Sequence, residues 1–139
     1  MKQGQRVLIA VSLGGAVGAL LRAEVERRLG GGIGTFPWST LGINVVGSFG
    51  LGMVTLLTVG LRIWWVKPAL GTGVLGGFTT FSSYVVVAHM LQLDGQATVA
   101  LVYAVLTPIS CVAAAWLGVH APRLFGLPYG HAPRAREQE

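Results

Sequence analysis

The sequence predicts an all-α integral membrane protein with four transmembrane helices in each subunit. Three observations carry that expectation. The 139-residue chain is 53% hydrophobic and only 11% charged, with a mean hydropathy of +0.65. A soluble domain carries about 25% charged residues, so this composition suits lipid as the solvent. The apolar residues fall in four runs, at about 7–22, 40–61, 68–93 and 97–119, and a helix needs about 20 apolar residues to cross a bilayer. Finally, there are 21 glycines, and small residues let membrane helices approach closely.

The first run, "VLIAVSLGGAVGALL", lies between Arg6 and Arg22. It is short for a span unless Arg22 snorkels to the interface or faces a polar cavity. Gly14 and Gly18 make a GxxxG face, which reads most simply as helix packing. Arg22, one turn on, is either an interfacial anchor or an anion-attracting, structure-locking group. A rival reading takes Lys2, Arg6, the short apolar run and the small residues Ala16 and Gly18 as a signal peptide, whose cleavage would leave three spans. The stretch "AEVERRLGGGIGTFPWS", residues 23–39, reads as a loop with Trp38 at the headgroup level.

The second run carries Asn44, Ser48 and Gly52 on one helical stripe. A buried amide must find partners, so Asn44 is either interhelical glue or a donor lining an ion path. A tight loop, "RIWWVK", follows. The third run contains "GGFTTFSSY", residues 76–84. Gly76 and Gly77 accept backbone conformations that other residues resist. Thr79, Thr80, Ser82 and Ser83 can satisfy freed backbone groups or face a cavity, and non-helical backbone at membrane depth is tolerated only in such places. After a turn at Asp94-Gly95-Gln96, the fourth run carries Tyr103, Thr107 and Cys111 on one stripe. Pro108 beside them should disturb the helix and free carbonyls near this track. Residues 1–128 therefore read as one four-span membrane domain, and the proline- and charge-rich residues 129–139 as a disordered tail.

Several functions are excluded. The single cysteine, Cys111, permits no intrachain disulfide. The net charge is +5, but aromatic residues do not interleave with the basic ones, which argues against nucleic-acid binding. No aspartate or glutamate falls within the four apolar runs, and a proton-coupled pump needs such a carboxylate. His89 stands alone, no cluster has metal-ligand spacing, and no enzyme motif is present. Neutral hydrogen-bonding groups, ring edges and one arginine suit passive passage of a small anion. Lys2, Arg6, Arg62, Lys67, Arg123, Arg134 and Arg136 would share one side of the membrane, against Arg22, Arg27 and Arg28 on the other. That excess favours the termini inside, but it falls to five against three without the two tail arginines, so insertion in both orientations stays open.

"GGAVGALLR" (14–22), "STLGINVVGSFGLG" (39–52) and "GVLGGFTTFSSY" (73–84), in this order within four spans, resemble the CrcB/Fluc family of fluoride channels. The resemblance covers nearly the whole chain apart from the tail. It implies a multi-pass protein of the cell (inner) membrane, working as an antiparallel, dual-topology homodimer or with a paralogue of opposite topology. It implies a third helix broken mid-membrane at the dimer centre, with a structural Na⁺ held by the backbone carbonyls of Gly76 and Thr79. Asn44 would be the pore amide, and Phe81 the pore phenylalanine whose ring edge meets fluoride. Ser82 and Ser83 would line the path, and Tyr103, Thr107 and Cys111 would form a polar track along the fourth helix. Arg22 matches the arginine that ends the first helix. Tyr84 falls where the family has a second pore phenylalanine; it keeps a ring edge and adds a hydroxyl. Thr107 and Cys111 stand where serines are common. The implied function is a fluoride-selective passive channel that exports cytoplasmic fluoride. Two alternatives stand beside it: a small multidrug-type exporter, which requires an intramembrane carboxylate, and a non-transporting membrane scaffold, which leaves the polar stripes unexplained.

Overall fold

A computed structural model describes residues 2–30, 36–59 and 63–125. Helix α1 spans Gln3–Leu29 and α2 spans Trp38–Leu57. The third span begins with a π-helical segment, Pro68–Leu75, which runs into a single α-turn, α3, at Gly76–Phe78. Helix α4 follows at Phe81–Leu93 and α5 at Ala97–Leu124. Four stretches, Gln3–Leu29, Trp38–Leu57, Pro68–Leu93 and Ala97–Leu124, are long and apolar enough to cross a bilayer. In lipid each of these segments must satisfy its own backbone polar groups, and helical winding does so.

The helix bounds differ from the apolar runs in instructive places. Helix α1 does not stop at residue 22. It continues through residues 23–29, which the sequence suggested as loop. Arg27 makes two hydrogen bonds to the Glu24 carboxylate, at 2.8 and 2.7 Å, and Arg28 bonds the same group from one turn away. Such i,i+3 and i,i+4 pairs extend a helix where apolar patterning has ended. At 27 residues the helix is about 40 Å long, more than the ~30 Å hydrocarbon core, so its charged end projects beyond the lipid tails. Glu24 and Glu26 thus lie on α1 but past its apolar run. Helix α2 ends at Leu57 with Thr58 as its C-cap: the Thr58 N–H (3.0 Å) and hydroxyl (2.6 Å) still bond the Val54 carbonyl, but the Val59 N–H turns to the Leu56 carbonyl at 3.1 Å, a tighter three-residue step. Helix α5 runs on to Leu124 rather than 119, and it passes through Pro108 without the interruption the proline suggested. The turn after α4 forms at Asp94–Gln96, where Gly95 takes φ +75°, a value open to glycine at little cost. The suggested tail at 129–139 lies outside the described residues.

Glycine seams decide which helices pair. Helix α1 lies along the first half of the third span. A Cβ on Gly14 would come 2.5 Å from the Ala69 carbonyl oxygen, and one on Gly73 would come 3.0 Å from the Val11 carbonyl oxygen. On Gly18 a Cβ would collide with the Val74 carbonyl, and on Gly77 with that of Gly15. Gly14 and Gly18 therefore meet a second GxxxG spacing, Gly73 and Gly77 of the third span, in the packing role the α1 glycines suggested. Helices α2 and α5 form the second close pair. There a Cβ on Gly52 would strike the Ala115 carbonyl, and one on Gly118 that of Phe49. Helix α4 packs on α5 over a core of Leu41, Leu91, Ala100 and Tyr103, flanked by Phe36 and Tyr84. Elsewhere the large apolar side chains point outward, among them Leu13, Leu20, Val112 and Trp116, as lipid contact requires.

Candidate functional site: the cleft at Thr79–Thr80

Helix α3 ends at Phe78, and the chain passes through two extended residues before α4 begins. Thr79 has φ −72° and ψ 153°, and Thr80 has φ −145° and ψ 123°. Such a stretch leaves backbone groups without helical partners, and the sequence supplies replacements. The Asn44 Nδ2 donates to the Thr80 carbonyl at 2.9 Å, and the Thr80 N–H donates to Asn44 Oδ1 at 2.8 Å. The amide is buried, so both bonds form away from water. Thr80 is also the N-cap of α4. Its Oγ1 accepts from the Ser83 N–H at 3.1 Å and donates to Ser83 Oγ at 3.1 Å, with Ser82 Oγ 3.3 Å away. Ser82 and Ser83 therefore belong to the cap, and neither lines the cleft described below.

These replacement bonds have a second effect. In a continuous helix the Gly76 carbonyl accepts from the N–H of residue 80, and the Thr79 carbonyl from that of residue 83. The Thr80 N–H instead goes to Asn44, and the Ser83 N–H to the Thr80 hydroxyl. Both carbonyl oxygens are thereby released from their helical donors. The Thr79 hydroxyl does not compete with them, since it bonds the Leu75 carbonyl at 2.9 Å. Gly76 is exposed on the surface of the single chain. Two neutral oxygens, hard and undemanding in geometry, fit a monovalent cation.

A cleft of about 340 Å³ opens beside the break. Asn44 and Ser48 of α2, Thr79 and Thr80 of the break, Phe81 and Tyr84 of α4, and Thr107 and Cys111 of α5 all face it, with Pro108 and Val112 completing the wall. Three spans thus bring together six of the suggested site residues: Asn44, Thr79, Phe81, Tyr84, Thr107 and Cys111. The lining is neutral throughout. Thr107 Oγ1 and Tyr103 Oη are both buried and make no hydrogen bond of good geometry among the described residues, although the Tyr103 hydroxyl lies near enough to those of Thr40 and Thr107 to interact with both. Tyr103 itself is wholly buried in the core and lies behind the cleft, in ring contact with Tyr84 (centroids 5.4 Å apart) and Phe36 (5.8 Å). Phe81 is 78% exposed, its ring tilted against that of Tyr84 at 5.7 Å. Arg22 is half-buried on α1 and does not reach this cleft. Gly76 lines a separate groove with Thr72, Leu75 and Thr79, so Thr79 forms part of the wall between the two.

Two site residues deserve more weight than their sequence positions suggested. Thr80 organises the break, and its T-x-x-S spacing to Ser83 is a visible capping signal. Ser48 joins the cleft, one turn from Asn44, as the polar stripe on α2 foreshadowed.

Four stretches long and apolar enough to cross a bilayer, with a neutral polar cleft among three of them, define the class as a multi-pass membrane protein. A family model described as "CrcB-like protein, Camphor Resistance (CrcB)" matches residues 9–119, and the chain belongs to this family. Among curated relatives, a protein of Streptomyces coelicolor described as "Fluoride-specific ion channel FluC 1" is 41% identical over 119 residues, covering 84% of this chain and 77% of the relative. One from Erythrobacter litoralis, described as "Fluoride-specific ion channel FluC", is 38% identical over 124 residues, 83% of this chain and 90% of its own length. A protein of the same description from Thermus thermophilus is 43% identical over 98 residues, 69% of this chain and 78% of its own.

Proposed function

We propose that this chain is the subunit of a fluoride-selective passive channel that lets cytoplasmic fluoride leave the cell. The observation that carries this is the cleft beside Thr79–Thr80, where amide, hydroxyl, thiol and ring-edge groups from three spans converge without a carboxylate. Fluoride is small and strongly hydrated, so a path for it must replace water with donors while binding the ion loosely enough to release it. The Asn44 amide keeps one N–H beyond the bond to Thr80, and hydroxyls donate as well. The Phe81 ring offers its electropositive edge. A buried cation at the same place would hold fluoride too tightly for conduction. The cleft's neutral lining also sets aside a proton-coupled exporter, which requires a titratable carrier. No energy coupling is needed for export, because a negative interior drives an anion outward by about 2.3 kcal/mol per 100 mV.

The working unit we infer is an antiparallel homodimer in the inner membrane. Phe81, exposed beside an open cleft, gains a covering wall when a second copy packs there. Two copies related by a two-fold axis at the break would bring together four carbonyl oxygens, from Gly76 and Thr79 of each. That set suits a structural Na⁺, whose charge would hold the two breaks face to face. Thr107 and Cys111 continue the proposed path along α5, Tyr103 backs it from the core, and Ser82 and Ser83 support it by capping α4. Arg22 sits far enough from the cleft to serve as an interfacial anchor.

Expression in a bacterium that lacks its own fluoride export tests the reading. The account predicts growth at fluoride concentrations that arrest the parent strain, undiminished when the proton gradient is lowered. Protein present in the membrane without any gain in tolerance would contradict it.

A further inference from the structure

The Tyr84 hydroxyl donates to the Ala104 carbonyl oxygen at 2.7 Å. In a regular helix that oxygen accepts from the N–H four residues later. Four residues later stands Pro108, inside α5, which has no N–H to give. Tyr84 of α4 therefore supplies the donor that Pro108 removes from α5. Without that donor the carbonyl would have no partner within the protein, a state tolerated at membrane depth only where a cleft admits water.

A second, independent observation concerns where this bond lies. Tyr84 lines both the cleft at the break, of about 340 Å³, and a further cleft of about 440 Å³ between α4 and α5. The further cleft runs past Ala104 towards His89 and Gln92. Tyr84 is thus shared by the two, and its ring lies against those of Phe81 (centroids 5.7 Å apart) and Tyr103 (5.4 Å).

We propose that Tyr84 is a positioning residue that partitions one ion path into two compartments, with its ring edge held in place by the hydrogen bond that Pro108 makes available. The inference rests on the fluoride-channel reading. Two consequences follow from the geometry. The hydroxyl proton is committed to Ala104, so the ring edge is what a passing anion meets. The Ala104 oxygen, which would repel an anion, has its negative charge partly offset by the hydroxyl proton.

The test is a cycle of four proteins in liposomes and in detergent: the parent chain, Tyr84→Phe, Pro108→Ala and the double variant. Alanine at 108 restores an N–H for Ala104, so the hydroxyl becomes dispensable there. With Pro108 present, Tyr84→Phe should lower fluoride efflux by about fivefold, the factor carried by roughly one hydrogen bond, and raise the chloride-to-fluoride ratio. A mere loss of folded protein would lower both fluxes alike. In the Pro108→Ala background the same change should alter fluoride efflux by less than about twofold. Equal losses in both backgrounds would mean that the hydroxyl meets the ion directly, and no loss beside Pro108 would mean that the bond positions nothing; either result overturns the proposal. If the parent chain passes no fluoride, the channel reading itself fails. The Tm cycle then decides whether the Tyr84–Pro108 coupling exists, and additive Tm changes would refute it.

Discussion

The side-chain amide of Asn44 and the backbone of Thr80 exchange two hydrogen bonds across 36 positions of sequence, at 2.9 and 2.8 Å. One polar side chain on α2 thereby stabilises a break in another span and frees the Gly76 carbonyl from its helical donor. Asn44→Ala would strand both Thr80 groups in a buried place. It should cost about 1–3 kcal/mol, taking the unsatisfied-group penalty and the modest worth of hydrogen bonds between membrane helices together. Asn44→Asp keeps an acceptor for the Thr80 N–H but sets oxygen against the Thr80 carbonyl, so it should not rescue. Thermal unfolding in detergent measures both variants. An Asn44→Ala protein that unfolds at the parent temperature would show the clamp to be idle.

The seam between α1 and the third span predicts a position-specific glycine effect. A Cβ on Gly18 would meet the Val74 carbonyl, which is backbone and cannot swing aside, whereas a Cβ on Gly42 finds nothing within 4 Å in the chain. Gly18→Ala should destabilise by about 1–3 kcal/mol through overpacking. Gly42→Ala, within α2, should be neutral or stabilise by up to about 1 kcal/mol, because alanine gives up less backbone freedom. Paired melting curves decide it, and equal responses at the two sites would contradict the seam.

Thr107 offers a contrast between stability and transport. Its Oγ1 is buried, makes no hydrogen bond of good geometry among the described residues, has only the Tyr103 hydroxyl as a loose neighbour, and belongs to a residue lining the cleft. Valine has nearly the same shape and no such group to satisfy, so Thr107→Val should leave stability unchanged or raise it by up to about 1 kcal/mol. Fluoride efflux should nonetheless fall by about tenfold, if the hydroxyl contributes one ion contact. An unchanged efflux would make Thr107 a packing residue.

The four spans were legible because apolar run length reports lipid directly, and the third span's limits coincide with its run. The end of α1 was not. Glu24, Arg27 and Arg28 read as loop by polarity, and only their mutual spacing carries the helix onward. Glycine positions were legible as seams, but a GxxxG face does not name its partner, so the match of Gly14 and Gly18 with Gly73 and Gly77 needed three dimensions. The same holds in the cleft. Asn44, Phe81, Thr107 and Cys111 were visible as polar stripes or by family resemblance, yet the bond from Asn44 to Thr80 joins residues no local pattern relates. Pro108 announced a freed carbonyl, but nothing local said that Tyr84 would claim it. The π winding of Pro68–Leu75 has no sequence signal that we can identify.

Phe81 gives the most direct test of the central claim. Its ring is 78% exposed in the single chain, so Phe81→Ile should change subunit stability by no more than about 0.5 kcal/mol. The decisive measurement is fluoride and chloride efflux from liposomes containing the purified protein, followed with ion-selective electrodes and no imposed proton gradient. The account predicts rapid fluoride efflux with little chloride efflux for the parent chain, and loss of fluoride efflux for Phe81→Ile with the assembly intact. Folded parent protein that passes no fluoride, or a Phe81→Ile variant that passes it at the parent rate, would contradict it.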